Sequence, residues 1–316
     1  MRLTYAELPK AELHLHLEGT VEPETLREIN PSLTLDEIAS RYRFRDFAGF
    51  LDCYKWVTSY LKGPAEYALV TRRLLRRLEA EEVCYAEINL SAGVMLWRGQ
   101  NFAAIFDAVR EAAGDSRIKV FWILDAVRQF GPDQAMQVAR LAVERRDEGV
   151  VGFGFGGDEA RGPACWFEEV CSFAANHGLA IVPHAGETCG PESVWAALKL
   201  KARRIGHGIR AVDDPVLLRH LCKNQIPLEI CITSNVRTGS VAALEEHPVR
   251  KLFDAGVPLV LNTDDPALFS TTLTREYEIA ASVFHFSPAE IEQLARNSFQ
   301  YALKPEEAFA ASGLDA

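Results

Sequence analysis

The stretch KVFWILDAVRQFGPDQAMQVARLAVERRDEGVVGFGFG occupies residues 119–156 and contains the repeating unit that predicts the fold. Residues 119–125 and 150–156 are short apolar runs rich in β-branched and aromatic side chains, which favour β-strands. Between them, residues 133–146 repeat apolar side chains at helical spacing. A strand, a helix and a second strand in this order indicate a parallel βαβ unit with a right-handed crossover.

Six further apolar runs of similar length occur along the chain, with segments of helical period such as Pro215–Lys223 between them. These predicted strands are Glu12–Leu17, Val83–Leu90, Ala180–His184, Arg204–His207, Leu228–Thr233 and Leu259–Thr263. The sequence thus contains eight predicted strands that alternate with helices, and eight is the number that closes a (β/α)₈ barrel. A length of 316 residues also suits such a barrel. The sequence therefore predicts an α/β fold, with residues 1–316 forming a single TIM-type barrel domain.

The connection between the first two predicted strands is unusually long, from about residue 20 to residue 82. It contains several stretches of helical period, so we expect a helical insertion at the mouth of the barrel. A lid over the active site is one interpretation of such an insertion, and ordinary packing helices are the other. The sequence leaves both open.

Composition limits the classes of partner. Hydrophobic residues make up 48% and charged residues 25%, which is typical of a globular protein, and the net charge is −10. Because an acidic surface repels phosphate backbones and anionic lipids, binding to nucleic acids or membranes is not expected. The seven cysteines form no CxxC pair, and the chain lacks both a signal-peptide pattern and an 18-residue apolar stretch. We therefore expect a cytoplasmic protein, and the oligomeric state stays open.

Potential metal ligands and acid–base groups follow the predicted strands at their carboxyl ends, where barrel enzymes carry their active sites. They are His14, His16, His184, His207, Asp264 and Asp265. Two residues apart on a strand, His14 and His16 share one face. A single HxH pair or a single Asp pair is weak evidence, but four of eight strands deliver such groups to one end. Three histidines and a carboxylate are sufficient ligands for Zn²⁺ or a similar ion.

The glycine-rich segment at residues 151–157 does not have the GxxxxGK[ST] spacing of a phosphate loop and alternates like a strand. We interpret Gly156 and Gly157 as a place where a flat ligand approaches the backbone. Asp158 and Glu159 follow, and we expect them to disfavour phosphate and to orient the loop. The HExxH motif of metalloproteases and the PCxxC motif of cytidine-deaminase-type sites are both absent.

Six segments of the chain resemble the adenosine deaminase family in order and spacing, from about residue 8 to residue 300. They are LPKAELHLHLEGT (8–20), GGDE (156–159), HAGE (184–187), IGHGIR (205–210), TSN (233–235) and LNTDDP (261–266). The resemblance implies a (β/α)₈ barrel with one catalytic zinc ion per chain. The implied zinc ligands are His14, His16, His184 and Asp264. The implied reaction is hydrolytic removal of the 6-amino group of a purine.

The resemblance also implies the role of each residue around the purine. Glu187 is similar to the acid that protonates N1, which requires a raised pKa in a desolvated pocket. His207 is similar to the group that orients the metal-bound water and stabilises its developing charge. Asp264 is both a ligand and a candidate proton shuttle. Asp265 is expected to hydrogen-bond N7, and the Gly157 N–H is expected to contact N3.

One departure from the family concerns the substrate. Glu18 stands where many adenosine-specific members carry Asp, and the adenine branch also has Glu there but typically lacks GGDE. The segment 91–101 offers Trp97 for stacking and Arg98 for an anionic group. These residues suit a nucleoside altered at its 5′ end, such as aminodeoxyfutalosine of the menaquinone pathway. The family includes deaminases that act on aminodeoxyfutalosine. Adenosine and such a 5′-extended nucleoside are both left open, and free adenine ranks behind them.

Two other classes of function remain as alternatives. A metal-dependent phosphoesterase can also carry an HxH motif on its first strand. Such an enzyme needs additional metal ligands for a multinuclear centre and a phosphate clamp, and this sequence shows no such clamp. A purine- or metal-binding protein without catalytic activity has no need of both Glu187 and His207.

Overall fold

The structure is a computed structural model that describes residues 5–314. In this part of the chain, eight parallel strands pair with one another in sequence order. They are β1 (Lys10–His16), β2 (Val83–Leu90), β3 (Lys119–Val127), β4 (Val150–Gly156), β5 (Ala180–Ala185), β6 (Ile205–His207), β7 (Leu228–Ile230) and β8 (Leu259–Leu261). The predicted TIM-type barrel is confirmed.

The barrel closes where the chain leaves β8 and meets β1. The His16 N–H donates to the Asp264 carbonyl at 2.8 Å, and the Asp264 N–H donates to the His14 carbonyl at 3.0 Å. The closing hydrogen bonds therefore involve three residues that the sequence predicted to be metal ligands. Closure of the sheet and assembly of the site therefore depend on the same two backbone segments, the end of β1 and the residues after β8.

Helices cover the outside of the barrel, and none in residues 5–314 has the length and apolar character that a membrane crossing requires. They are α1 (Pro23–Ile29), α2 (Leu35–Arg41), α3 (Phe47–Thr58), α4 (Pro64–Ala80), α5 (Ala92–Trp97), α6 (Phe102–Gly114), α7 (Gly131–Glu144), α8 (Glu168–Asn176), α9 (Pro191–Lys199), α10 (Pro215–Asn224), α11 (Ile232–Arg237), α12 (Val249–Asp254), α13 (Pro266–Phe269), α14 (Leu273–Ser282), α15 (Pro288–Gln300) and α16 (Pro305–Ser312).

Helix α7 shows why these segments fold as they do. Ala135, Val138, Ala139 and Ala142 are fully buried and recur at the i, i+3, i+4, i+7 spacing that makes one apolar face. Pro132 lies in the first turn of the helix, where a missing N–H costs nothing. The buried face packs on β3 and β4, so α7 is the crossover helix that residues 119–156 predicted.

The long connection between β1 and β2 contains helices α1 to α4, as predicted. Local signals define their starts: Thr34 forms a capping box with Glu37 at α2, and the Asp46 carboxylate accepts from the Gly49 N–H at α3. Phe47, Phe50, Leu51 and Tyr54 of α3 line the cavity at the mouth of the barrel. The insertion therefore forms part of the site wall.

The prediction of a strand over Leu228–Thr233 is wrong at its carboxyl end, because β7 stops at Ile230 and α11 begins at Ile232. The alternating side chains of this segment favour a strand locally. The buried Glu276 carboxylate from α14 accepts the Thr233 N–H at 3.1 Å, which satisfies a free N–H of the helix's first turn. That partner is 43 residues away in the chain and leaves no local signal.

Candidate active site

Four predicted metal ligands converge at the carboxyl ends of the strands. His14 and His16 come from β1, His184 from β5, and Asp264 lies three residues after the end of β8. One ligand atom from each lies within 4.8 Å of all the others. Nε2 of His16 is 3.1 Å from Nε2 of His184, and Asp264 Oδ1 is 3.3 Å from His16 Nε2. The joint arrangement that the sequence predicted is present.

The donor atoms of this cluster fit a metal ion. Nε2 of His14 is buried and has no hydrogen-bond partner among the described residues, although a buried polar nitrogen is costly without one. It faces Asp264 Oδ1 at 3.4 Å. Three imidazole nitrogens and one carboxylate oxygen around one point are the ligand types that a divalent cation of intermediate softness prefers.

A buried chain of charged groups supports His14 from behind. Its Nδ1 lies 2.7 Å from Glu229 Oε2, and the other oxygen of Glu229 accepts from Arg204 Nε. Arg204 also donates to Glu87, and all three charged side chains are at most 1% exposed. Because Arg204 holds the pKa of Glu229 below its usual range despite burial, Glu229 stays a carboxylate. A carboxylate behind a metal-binding imidazole fixes the orientation of the ring.

His16 has a similar neighbour. Its Nδ1 is 3.4 Å from Oδ2 of Asp125 on β3, and the Asp125 side chain is 6% exposed. Neither carboxylate oxygen of Asp125 has a hydrogen-bond partner among the described residues. Sequence reasoning missed both Asp125 and Glu229, because each lies inside an apolar strand and belongs to no motif.

Two site residues have strained backbones. His207 and Asp264 have φ values of 61° and 66°, the left-handed region that non-glycine residues rarely adopt. Such strain concentrates at functional sites. Here it occurs where the chain turns out of β6 and β8. Gly206 makes room for the predicted metal ligand His14, since a Cβ at residue 206 would lie 2.7 Å from Cε1 of His14.

Glu187 lies beside the cluster and is 4% exposed. Burial, reinforced by the negative charge of Asp264, raises the pKa of Glu187 well above its usual value. The loop that carries it is held by Glu159, which accepts the N–H groups of Gly186, Glu187 and Thr188 at 2.8–2.9 Å. Glu159 was expected to orient the glycine-rich loop that precedes it, but its carboxylate instead holds the loop that carries Glu187.

His207 lies within reach of both Glu187 and the metal cluster. Its Nε2 is 3.6 Å from Glu187 Oε2 and 4.0 Å from Asp264 Oδ2. Burial lowers the pKa of His207 to about 4, so the ring is neutral near pH 7. The second oxygen of Asp264 accepts a hydrogen bond from Ser234 Oγ at 2.6 Å.

A cavity of about 330 Å³ begins at this cluster and opens at the barrel mouth. Asp265 lines it, with an Oδ1 that has no hydrogen-bond partner among the described residues. Burial and the Asp264 charge raise the pKa of Asp265. Gly157 also lines the cavity with φ 99°, and a Cβ there would lie 2.4 Å from Gln129 Oε1. The positive φ and the closeness of Gln129 therefore require glycine at this position.

Three predicted substrate residues occupy two different places. Trp97 and Arg98 line the outer cavity, where Trp97 is 59% exposed and stacks on Phe130 at 5.5 Å. Glu18 is fully buried and is not among the residues that line the cavity. It accepts the Ser91 N–H at 3.1 Å and the Tyr54 hydroxyl at 3.3 Å, and both of these partners line the cavity.

Comparison with known proteins agrees with this geometry. The family described as adenosine deaminase matches residues 9–311. The chain belongs to the adenosine deaminase family. It is 38% identical to the aminodeoxyfutalosine deaminase of Streptomyces avermitilis, over 93% of this chain and 86% of that protein. It is 34% identical to an adenine deaminase of Agrobacterium fabrum, over 95% of both chains.

A solved structure of an amidohydrolase from Burkholderia ambifaria with bound zinc superposes with a TM-score of 0.88. It shares 26% identity and covers 98% of this chain and 92% of that chain. Membership of the adenosine deaminase family makes this chain a hydrolytic deaminase, which acts on carbon–nitrogen bonds. The predicted family, fold and enzyme class are confirmed.

Proposed function

We propose that the chain is a zinc-dependent deaminase that converts a 6-aminopurine nucleoside to the 6-oxo product and ammonia. One observation carries the proposal. A carboxyl group with a raised pKa, Glu187, lies next to four convergent metal ligands at the inner end of a cavity. A metal ligand set alone would suit many hydrolases. The protonated carboxyl adds a proton donor, which attack on an aromatic purine ring requires.

The residues that would hold zinc are His14, His16, His184 and Asp264. Zinc, when bound, supplies a water that is acidic enough to serve as a nucleophile near pH 7. Support for zinc comes from the three-imidazole, one-carboxylate donor set and from the Burkholderia ambifaria amidohydrolase. One ion per chain is expected, whereas a metal-dependent phosphoesterase would bind two or three.

The other residues act on the purine as donors. Glu187 gives its proton to N1 as electron density moves onto that nitrogen. Asp265, whose pKa is also raised, can donate to N7, and Gly157, which lines the cavity, can offer its backbone N–H to N3. His207 orients the attacking oxygen from beside Glu187. The three groups that contact the base would hold the purine in one orientation for attack at C6.

The outer cavity supports a substrate larger than the base. Trp97 and Phe130 form a stacked apolar surface, and the Arg98 guanidinium lies 5.3 Å from the Trp97 ring centre. These groups suit a 5′ substituent with an aromatic ring and an acid, as in aminodeoxyfutalosine, and adenosine fits the inner part alone. Glu18 would affect the sugar end through Tyr54, whose hydroxyl donates to Glu18 and lies 2.7 Å from the Ser91 hydroxyl.

Free adenine is the second candidate, because an adenine deaminase is among the relatives. Steady-state kinetics with adenosine, aminodeoxyfutalosine and adenine, followed by the absorbance change of the 6-amino to 6-oxo conversion, decide among the three. We expect a higher kcat/KM for one of the nucleosides than for adenine. A preference for adenine over both nucleosides would contradict the proposed substrate class. Zinc-loaded protein inactive on every 6-aminopurine would contradict the proposed reaction.

A further inference from the structure

Three buried side chains and one backbone N–H form a hydrogen-bonded line behind His207. The Val249 N–H lies 3.1 Å from His247 Nδ1, and His247 Nε2 lies 3.1 Å from Asn235 Oδ1. The line ends with Asn235 Nδ2, 3.1 Å from His207 Nδ1. His207, Asn235 and His247 are at most 3% exposed, so solvent does not compete for these hydrogen bonds.

The direction of the line is set at Val249. A backbone N–H only donates, so His247 Nδ1 has to accept. Burial, reinforced by the neighbouring His207, lowers the pKa of His247 to about 3, so this ring is neutral and carries its proton on Nε2. That N–H donates to Asn235 Oδ1. The reversed amide would place its NH₂ group against the His247 N–H, which leaves two donors facing each other.

The amide orientation determines the proton position on His207. Since Asn235 Nδ2 donates to His207 Nδ1, that nitrogen accepts, and a neutral ring then carries its proton on Nε2. Nε2 is the nitrogen nearer the reaction centre, 3.6 Å from Glu187 Oε2. We propose that Asn235 and His247 are positioning residues that fix the tautomer of His207, so that its Nε2–H is a permanent hydrogen-bond donor in the site.

This inference rests on the proposed function and specifies the part that His207 takes in it. A nitrogen that already carries a proton cannot accept another from the attacking water, so His207 is not the base. Its Nε2–H instead stabilises the negative charge that develops on the attacking oxygen. A donor aimed at developing charge in a water-excluded site is worth roughly 10²–10³-fold in kcat.

The decisive readout is the protonation pattern of the ring. In wild-type protein labelled with ¹⁵N-histidine and loaded with zinc, we expect unprotonated Nδ1 and protonated Nε2 on His207, assigned by comparison with His207→Ala. The reverse pattern, or a proton on both nitrogens at pH 7, overturns the inference. This spectrum needs no substrate, so its result stands apart from the success of the proposed deamination.

Variants connect the tautomer to the two positioning residues. Asn235→Leu keeps the volume but removes the donor, and we expect a mixture of His207 tautomers and a kcat loss of about 10-fold to 10²-fold with unchanged zinc content. His247→Phe keeps an aromatic ring and leaves Asn235 in place, so a smaller loss in the same direction is expected. Variants that keep the wild-type His207 spectrum overturn the inference.

A double-mutant cycle separates positioning from general structural damage. If Asn235 acts through His207, Asn235→Leu should cause no further loss of kcat in a His207→Ala background. An additive loss means that Asn235 acts independently, and this contradicts the inference. Absence of deamination in wild-type protein would instead defeat the proposed function, while the spectrum still tests the tautomer.

Discussion

Replacement of Glu229 by Gln tests how the buried charges below the site support the metal ligands. Glu229 is fully buried and forms two strong contacts, to His14 Nδ1 at 2.7 Å and to Arg204 Nε. Gln has the same shape but no charge, so the hydrogen bond that orients His14 weakens. Loss of such a partner typically lowers metal affinity 10–100-fold, which corresponds to about 1.4–2.7 kcal/mol.

The same substitution affects folding. Removing one partner of a buried ion pair costs about 3–5 kcal/mol, because the remaining charge stays buried. Arg204 keeps Glu87 as a partner and donates to the Tyr301 carbonyl at 3.0 Å, so we expect a cost near the lower end. Since the free energy of unfolding of a domain is about 5–15 kcal/mol, the Glu229→Gln protein should still fold, with a lower free energy of unfolding.

Chelator competition measures the zinc affinity, and urea unfolding of metal-free protein measures the stability. Glu87→Gln is the matched control, because Glu87 pairs with the same arginine but does not contact His14. The control should lose stability and keep its zinc affinity. Equal zinc affinities for wild type and Glu229→Gln would refute the idea that Glu229 orients His14.

Three other predictions concern individual carboxylates. Glu187→Gln should keep its zinc but lose kcat by about 10²–10⁴-fold, because the proton donor for N1 is gone; a kcat within tenfold of wild type would show that Glu187 is not this donor. Asp264→Ala should lose both metal and turnover, checked by metal analysis and the deamination assay, and unchanged zinc content would contradict its role as a ligand. Burial raises the pKa of Glu18 to about 7, so this group stabilises the fold below its unfolded pKa of about 4.5 and loses that contribution as pH rises to about 7. Urea unfolding at pH 5 and pH 8 should therefore show Glu18→Gln gaining stability relative to wild type by roughly 2.5 kcal/mol between the two; a pH-independent difference would contradict the raised pKa.

The fold was predictable because its signals are local and repeated. Val83–Leu90 and Val150–Gly156 are strands with the bounds that their apolar runs predicted, and the helix after residues 119–125 begins within two residues of its predicted start. Period-2 and period-3.6 patterns record which face of each element is buried. The error at Leu228–Thr233 occurred where a distant carboxylate, Glu276, outweighs the local pattern.

The site was predictable to the extent that its residues stand at strand ends. His14, His16, His184 and Asp264 could be predicted as candidate metal ligands because ionisable groups at the end of an apolar strand have no local reason to be buried. Glu18 shows the limit of this reasoning. The sequence predicted that the Glu18 carboxylate lies near the sugar end of the substrate. In the structure that carboxylate instead accepts hydrogen bonds from Ser91 and Tyr54.

The sequence by itself determined the barrel, and it predicted the candidate metal ligands from residue types at strand ends and the candidate acid Glu187 from the family resemblance. Only the tertiary structure decided which groups hold those side chains in place. Glu229 is 215 residues from His14, and Asn235 is 28 residues from His207. Hydrogen-bond direction and the protonation of buried groups depend on such distant partners, since burial removes the water that would otherwise satisfy them.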